Sequence, residues 1–362
     1  MVGLVRMTVG GIKYGTRSKE LVLCLQLLVL QLSAVQITGV LQVAASKSSD
    51  SGNKQPCSVK DPAMDPTHEM RYGHDVVWQI PPEPKAVLLL AHGGGMESLQ
   101  FFDPGPNCEQ CYGMPECRTA VLESLQRQYA VISVTGFYED WQVLSTIVKE
   151  WMAHYSLDSL PLVAWGHSAG TWTVTALTRG LSMRAIVLMC GEGLLEVEAM
   201  ATPLTFPPTF FAYMPRDALV PELNTTHVVE EAMATLTAQG VKVSDTQCWP
   251  KPISPLSFTQ RIRCISEEKS QMIYAALEAA GWLDSGGYVM KDVKTGDLES
   301  VLVEANALPY CAVTSGDVCL IAHVKVVLNT AYAVHSFTND ANDLIFPWLD
   351  SHILSPALTA SI

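Results

Sequence analysis

LPLVAWGHSAGTWTVTALT, residues 160–178, is the stretch whose reading decides this chain. Its first six residues form an apolar run, as expected of a strand covered on both faces. Gly166-His167-Ser168-Ala169-Gly170 comes next, and the residues from Ser168 to about Thr178 read as a helix. A bare G-x-S-x-G match is common by chance; the strand before it and the helix after it make it specific. In that setting the serine sits in a sharp, strained turn that lifts Oγ clear of the sheet. The two glycines leave room where a Cβ would clash. The helix start adds unpaired amides and the positive end of its dipole. Ser168 is therefore the candidate nucleophile.

Upstream, AHGGGM (91–96) closes another apolar run, AVLLLA (86–91). Glycines after such a strand let the backbone approach a ligand and aim N–H groups at a developing oxyanion. The expected donors are the amide of Ala169 and one amide from the Gly93, Gly94, Gly95, Met96 run. An ordinary glycine turn is the plainer alternative.

Downstream, two further strands are expected, AIVLM (185–189) and TFFAYM (209–214). Asp217 lies just past the second, in a D-x-x-V-P turn, where a carboxylate is placed to orient a histidine. A surface-turn aspartate has the same composition; Glu192 is the second choice of acid. Of nine histidines, His335 follows TAYAV and precedes a helix with Leu344, Ile345, Trp348 and Leu349. A histidine in a loop before the terminal helix, after a serine and then an acid, gives the order Ser168, Asp217, His335. His323, in an apolar helical run, is the second choice of base.

AVISV (130–134) supplies another strand, and the apolar spacing over 140–154 a helix. Alternating strands and helices argue for a mostly parallel sheet with helices on both faces. With the elbow, this is the pattern of an α/β-hydrolase fold. The path from Asp217 to His335 is longer than such a core needs. After a helix at 226–240 and a last strand, VKVSDTQ, Trp249-Pro250-Lys251-Pro252 intervenes. The core is thus expected at 71–249 and 330–362, with a lid-like insertion or pocket wall at 250–329. An unrelated peripheral subdomain is the alternative.

The N-terminus reads as a targeting segment, residues 1–45. Arg6, Lys13, Arg17 and Lys19 precede the first acid, Glu20, and LVLCLQLLVLQL (21–32) follows, with Ala44 and Ala45 at its end. This fits a secretory signal. An uncleaved membrane anchor is the alternative, against which Gln26, Gln31, Gln36 and Gln42 weigh. Residues 46–70 are expected to be a flexible stalk. Either reading places the remainder in the secretory lumen or outside the cell. Eight cysteines, Cys57, Cys108, Cys111, Cys117, Cys248, Cys264, Cys311 and Cys319, are then expected in disulfides, with Cys190 a buried thiol. Asn224-Thr225-Thr226 is a glycosylation sequon. The chain carries 23 basic and 36 acidic residues, a net −13, which repels phosphate backbones and argues against a nucleic-acid partner.

From about Ala86 to His352 the chain resembles a plant family of secretory-pathway α/β-hydrolase-like proteins. The resemblance rests on AHGGGMESLQFFDPGPNCEQC, LPLVAWGHSAG, AIVLMCGEG, PPTFFAYMPRD and AYAVHSF. It implies the fold and the positions Ser168, Asp217 and His335. It implies no substrate and assigns His167 no role.

The expected activity is hydrolysis of a small-molecule carboxylic ester through an acyl-enzyme, with no metal or organic cofactor. His92, His167, Tyr138 and Trp141 are candidates to line the substrate pocket, with Phe101 and Phe102 beside them. Acyl transfer and peptide cleavage use the same three side chains. A small-ligand receptor or binding protein on the same scaffold is the competing class.

Overall fold

The computed structural model describes residues 64–193, 206–217, 225–294, 296–310 and 319–354. These belong to the larger compact unit of the chain, Lys54–Ile362. The targeting segment, most of the stalk, Asn224, Cys57 and Cys311 lie outside the described residues.

Strands β1 (Thr67–Arg71) and β2 (His74–Gln79) open the core as a hairpin. Tyr72 and Gly73 form its two-residue turn, both at positive φ, the geometry that matches strand twist. β1 begins within the expected stalk. The hairpin escapes the sequence reading because THEMR is polar, half-exposed edge sequence with no apolar run.

The chain then alternates: β3 (Ala86–Ala91), helix α1 (Pro115–Gln126), β4 (Tyr129–Val134), α2 (Trp141–His154), β5 (Leu162–His167) and α3 (Ala169–Leu177). After these come β6 (Met183–Met189), β7 (Thr209–Tyr213), α4 (Thr225–Ala238) and β8 (Val243–Gln247). The described strands form one sheet in the order β1-β2-β4-β3-β5-β6-β7-β8. Pairing is parallel from β4 to β8 and antiparallel only at the β1–β2–β4 edge.

The continuous apolar strands follow from this arrangement. Side chains alternate between faces, and both faces are covered. Leu88, Leu90, Val131, Val163, Trp165 and Val187 join Ala120 and Val121 of α1 in one core. Val87, Leu89, Ile132, Ala164, Ile186 and Leu188 join Leu144, Ile147, Trp151 and Val174 in the other. The chain has the α/β-hydrolase fold expected from its sequence.

Between β8 and His335 lie α5 (Ser257–Arg261), α6 (Glu267–Ala279), α7 (Leu298–Glu304) and α8 (Leu320–Tyr332). They share a third core, in which Ile253, Phe258, Ile273, Leu277, Trp282, Leu302 and Leu328 are buried. The amide of Lys251 donates to the carbonyl of Ala331 at 3.0 Å, so the two ends of the inserted segment meet at one root. The final helix, α9 (Asn342–Leu354), returns Ile345, Phe346 and Leu349 to the first core. Among the described residues no helix is long and apolar enough to cross a membrane.

Cysteine pairing differs in part from expectation. Cys108 and Cys111 are joined to each other, and Cys264 and Cys319 are disulfide-bonded. Cys117 and Cys248, expected in disulfides, are free buried thiols, as is Cys190. Burial pushes the Cys117 thiol far up and the Cys248 thiol up to about 11. Cys117 in α1, and Cys108 and Cys111 close together in the loop before it, are all buried in the first core.

Candidate active site

Open parallel sheets bind ligands beyond the carboxyl ends of the strands, where the strand order turns back. Here β3 is flanked by β4 and β5, and the loops leaving β3 and β5 emerge side by side. Ser168 follows β5 directly, with φ 53° and ψ −122°. A non-glycine residue held there carries roughly 1–3 kcal/mol of strain, which the surroundings must over-determine. They do: the Ser168 amide donates to the Met189 carbonyl at 2.8 Å, and the Thr171 hydroxyl donates to the Ser168 carbonyl at 2.7 Å. A Cβ on Gly166 would overlap the Gly170 carbonyl, and one on Gly170 would press to 2.6 Å from the His92 carbonyl oxygen. Both glycines of the elbow are required by close approach.

His335 lies in the loop between α8 and α9, with φ 36°, two residues after Ala333 at φ 58°. The Asn329 side-chain amide braces this loop by donating to the Val334 carbonyl at 2.7 Å. Asp217 follows β7, its amide bonded to the Met214 carbonyl at 2.9 Å and its carboxylate fully buried. The three side chains form an unbroken chain. His335 Nδ1–H donates to Asp217 Oδ2 at 2.7 Å, which leaves Nε2 to accept the Ser168 hydroxyl at 2.7 Å. Asp217 Oδ1 has no partner among the described residues.

Of the glycine run, Gly93 is the member set against the nucleophile: a Cβ there would lie 3.2 Å from Ser168 Cβ and 2.8 Å from His167 Nδ1. Gly94 faces open space, and Gly95 takes φ 70° to turn the loop. The Met96 amide is already bonded to the Gly93 carbonyl at 3.2 Å, which removes it as a donor. Ala169, at the first position of α3, has an amide with no intrahelical partner.

The four expected pocket-lining residues separate. His92 is buried with both ring nitrogens engaged: Nδ1–H donates to the Gly93 carbonyl at 2.9 Å, and Nε2 accepts the Gly136 amide at 3.1 Å. Burial holds its pKa down, and it fastens the glycine loop to the end of β4 with no nitrogen left for a ligand. Trp141 lies under the Arg179 guanidinium, 5.8 Å from its ring centre, at the far end of the nine-residue α3. That end is roughly 14 Å along the helix from Ser168, too far to line its mouth. Phe101 and Phe102 are fully buried core. Phe101 meets Phe337, which stacks on Trp165.

His167 and Tyr138 remain near the site. His167 is buried 5.6 Å from the His335 ring, with neither nitrogen partnered among the described residues. Burial, reinforced by His335, Lys294 and His92, drives its pKa well below the ordinary value. Tyr138 meets Trp172 edge-to-face at 6.0 Å, one helical turn past Ser168. The Trp172 indole N–H donates to Glu192 at 3.0 Å, so the second-choice acid is committed to a tryptophan and not to a histidine. His323, the second-choice base, is buried near Asp103 and Arg118 with its pKa down to about 4.

Glu116 and Arg261, which the sequence reading did not single out, hold the His335 loop at Asn339 and Asp340. Glu116 in the first turn of α1 carries no local motif, and its partners lie 145 and 223 residues away.

Solved structures similar to this chain include esterases. Carboxyl esterase 2 of Tuber melanosporum is 14% identical, covering 51% of this chain and 77% of that one, with TM-score 0.37. A thermostable carboxyl esterase of Bacillus coagulans is 11% identical, covering 59% and 98%, with TM-score 0.38. Esterase 2 of Thermogutta terrifontis is 15% identical, covering 62% and 97%, with TM-score 0.37. No family model matches the chain, and no curated protein does. The fold assignment rests on strand order and the elbow.

Proposed function

We propose that this protein is a serine hydrolase that cleaves small carboxylic esters through an acyl-enzyme on Ser168. One observation carries the reading: the hydrogen-bonded chain Ser168–His335–Asp217, with 2.7 Å at each link. As the Ser168 Oγ adds to the ester carbonyl carbon, its proton passes to His335 Nε2. The carbonyl oxygen becomes an oxyanion facing the Ala169 amide and the Gly93–Gly95 loop. The tetrahedral adduct collapses, the carbon–oxygen bond to the alcohol breaks, and His335 returns the proton to the leaving oxygen. Water then repeats the sequence on the acyl-enzyme and frees the acid. Asp217 holds the imidazole tautomer and stabilises the imidazolium.

In this reading the inserted helices form a pocket wall beside His335, supported by their shared root at Lys251 and Ala331. We also infer residence in the secretory pathway, in keeping with the plant family the sequence resembles. The Cys108–Cys111 disulfide and the bonded Cys264 and Cys319 support an oxidising compartment. Membrane association would come only through the N-terminal segment.

The test is turnover of a p-nitrophenyl acyl ester series by the purified protein, together with fluorophosphonate labelling mapped to Ser168. Hydrolysis lost in Ser168→Ala supports the reading. Saturable ester binding with no turnover and no labelling overturns it in favour of a ligand-binding role; cleavage confined to peptides overturns the choice of ester.

A further inference from the structure

The inserted segment delivers two arginines, Arg261 and Arg263, onto two buried acids of the hydrolase core. Arg263 reaches Asp103 at 3.4 Å, where Arg118 already makes a two-pronged contact at 2.8 and 2.7 Å. Arg261 donates from Nη1 to Glu116 Oε1 at 2.8 Å and from Nη2 to Asp340 Oδ1 at 3.3 Å. The Lys251 ammonium, at the root of the insertion, lies 3.5 Å from the same Asp340 oxygen.

Glu116 links this clamp to the catalytic loop. Its other oxygen, Oε2, accepts the backbone amide and the side-chain amide of Asn339, both at 3.0 Å. The Asn339 side chain also donates to the Glu116 carbonyl at 2.6 Å. Asn339 is four residues past His335, and Asp340 is five. Glu116 is almost fully buried in the first turn of α1, where the helix dipole favours a carboxylate. Both its oxygens are occupied, one by the insertion and one by the His335 loop. That loop holds its histidine at positive φ, a conformation that its contacts with the rest of the protein must sustain.

We propose that Arg261 is a positioning residue for His335, acting through Glu116 and Asp340, so that the insertion completes the active site and does not merely cover it. The proposal rests on the reading of Ser168, Asp217 and His335 as the catalytic set. Arginine suits the task because its planar fork spans two carboxylates at once, which a lysine ammonium cannot reproduce.

The experiment compares the wild-type protein with Arg261→Gln and Arg261→Lys. Three readouts are taken: kcat and KM on a p-nitrophenyl ester, rescue by added guanidinium, and the downfield proton resonance of His335 Nδ1–H. A small misplacement of a catalytic group costs on the order of 10²-fold in rate. The expected result for Arg261→Gln is therefore a kcat lower by about 10- to 100-fold, an unchanged KM, partial rescue by guanidinium and a weakened resonance. Arg261→Lys should behave like Arg261→Gln. Wild-type kcat and an unchanged resonance in Arg261→Gln would overturn the proposal. If Arg261→Gln fails to fold, Asn339→Ala severs the same link from the loop side and is judged by kcat and the resonance. If the wild-type protein turns over no ester, the esterase reading fails. The resonance then still decides whether Arg261 orders the His335 loop.

Discussion

His335 and Asp217 are 118 residues apart in sequence and 2.7 Å apart in space, and each is placed by a different part of the molecule. Asp217 is set by the end of β7, whereas His335 is set by a loop emerging from the inserted helices. The bond between them decides which imidazole nitrogen faces Ser168. Asp217→Asn should therefore leave a folded protein with kcat lowered by about 10⁴-fold, because the amide favours the wrong tautomer. Steady-state kinetics on a p-nitrophenyl ester measures this. His323→Ala, buried near Asp103 and Arg118, should retain kcat within a few fold; its loss of activity would move the base to His323.

The two neighbouring glycines of the β3 loop should respond differently. In Gly93→Ala the new methyl meets His167 Nδ1 and Ser168 Cβ, so the loop must withdraw from the nucleophile. The loss of an oxyanion donor costs about 10²–10³-fold in kcat. Gly94→Ala places its methyl in open space and should stay close to wild type. Equal losses in the two variants would show that the loop acts through flexibility and not through the approach of Gly93.

Acid should destabilise the protein through its buried neutral histidines. His323 ionises near 4 when folded and near 6.5 when unfolded, because burial penalises its charged form. Between those values the unfolded chain binds a proton that the folded chain does not. Stability is therefore full above about pH 6.5 and falls as pH drops toward 4. For His323 the complete loss is roughly 3 kcal/mol. His92 and His167, also held down by burial, act in the same direction. Denaturant melts at pH 7.5 and pH 5 should show the loss, and His323→Leu should reduce it.

Alkylation should distinguish the cysteines by burial. Cys117, Cys190 and Cys248 are free but buried, with thiols raised by burial, so iodoacetamide should spare them in the folded protein and modify them after unfolding. A non-reducing digest should recover Cys108 linked to Cys111. Peptides joining Cys117 or Cys248 to another cysteine would contradict this assignment.

The insertion's helices should behave as a body with its own core. Ile273 and Leu277, on one face of α6, are fully buried among Phe258, Trp282 and Leu328. Ile273→Ala should lower stability by about 2–5 kcal/mol. If the residue contacts no substrate, relative kcat/KM across acyl chain lengths should not change. A shift in chain preference would place Ile273 against the ligand after all.

The sequence by itself determined the elbow, the glycine loop and the strands from β3 to β8. Each depends on residues adjacent in the chain: an unbroken apolar run, a glycine where no Cβ fits, a helix start. It also placed Ser168, Asp217 and His335 in order, because their positions relative to strand ends are local. Tertiary structure decided the rest. The β1–β2 hairpin is polar edge sequence and gains its place only by pairing with β4. His92 and Trp141 share the composition of pocket residues, and only the packed loops show one engaged at both nitrogens and the other at the far end of α3. Cys117 and Cys108 are both buried in the first core, yet one is a free thiol in α1 and the other is bonded to Cys111. Glu116 meets Asn339 across 223 residues. No periodicity spans that distance; the contact exists only because the folded chain brings α1 and the His335 loop together.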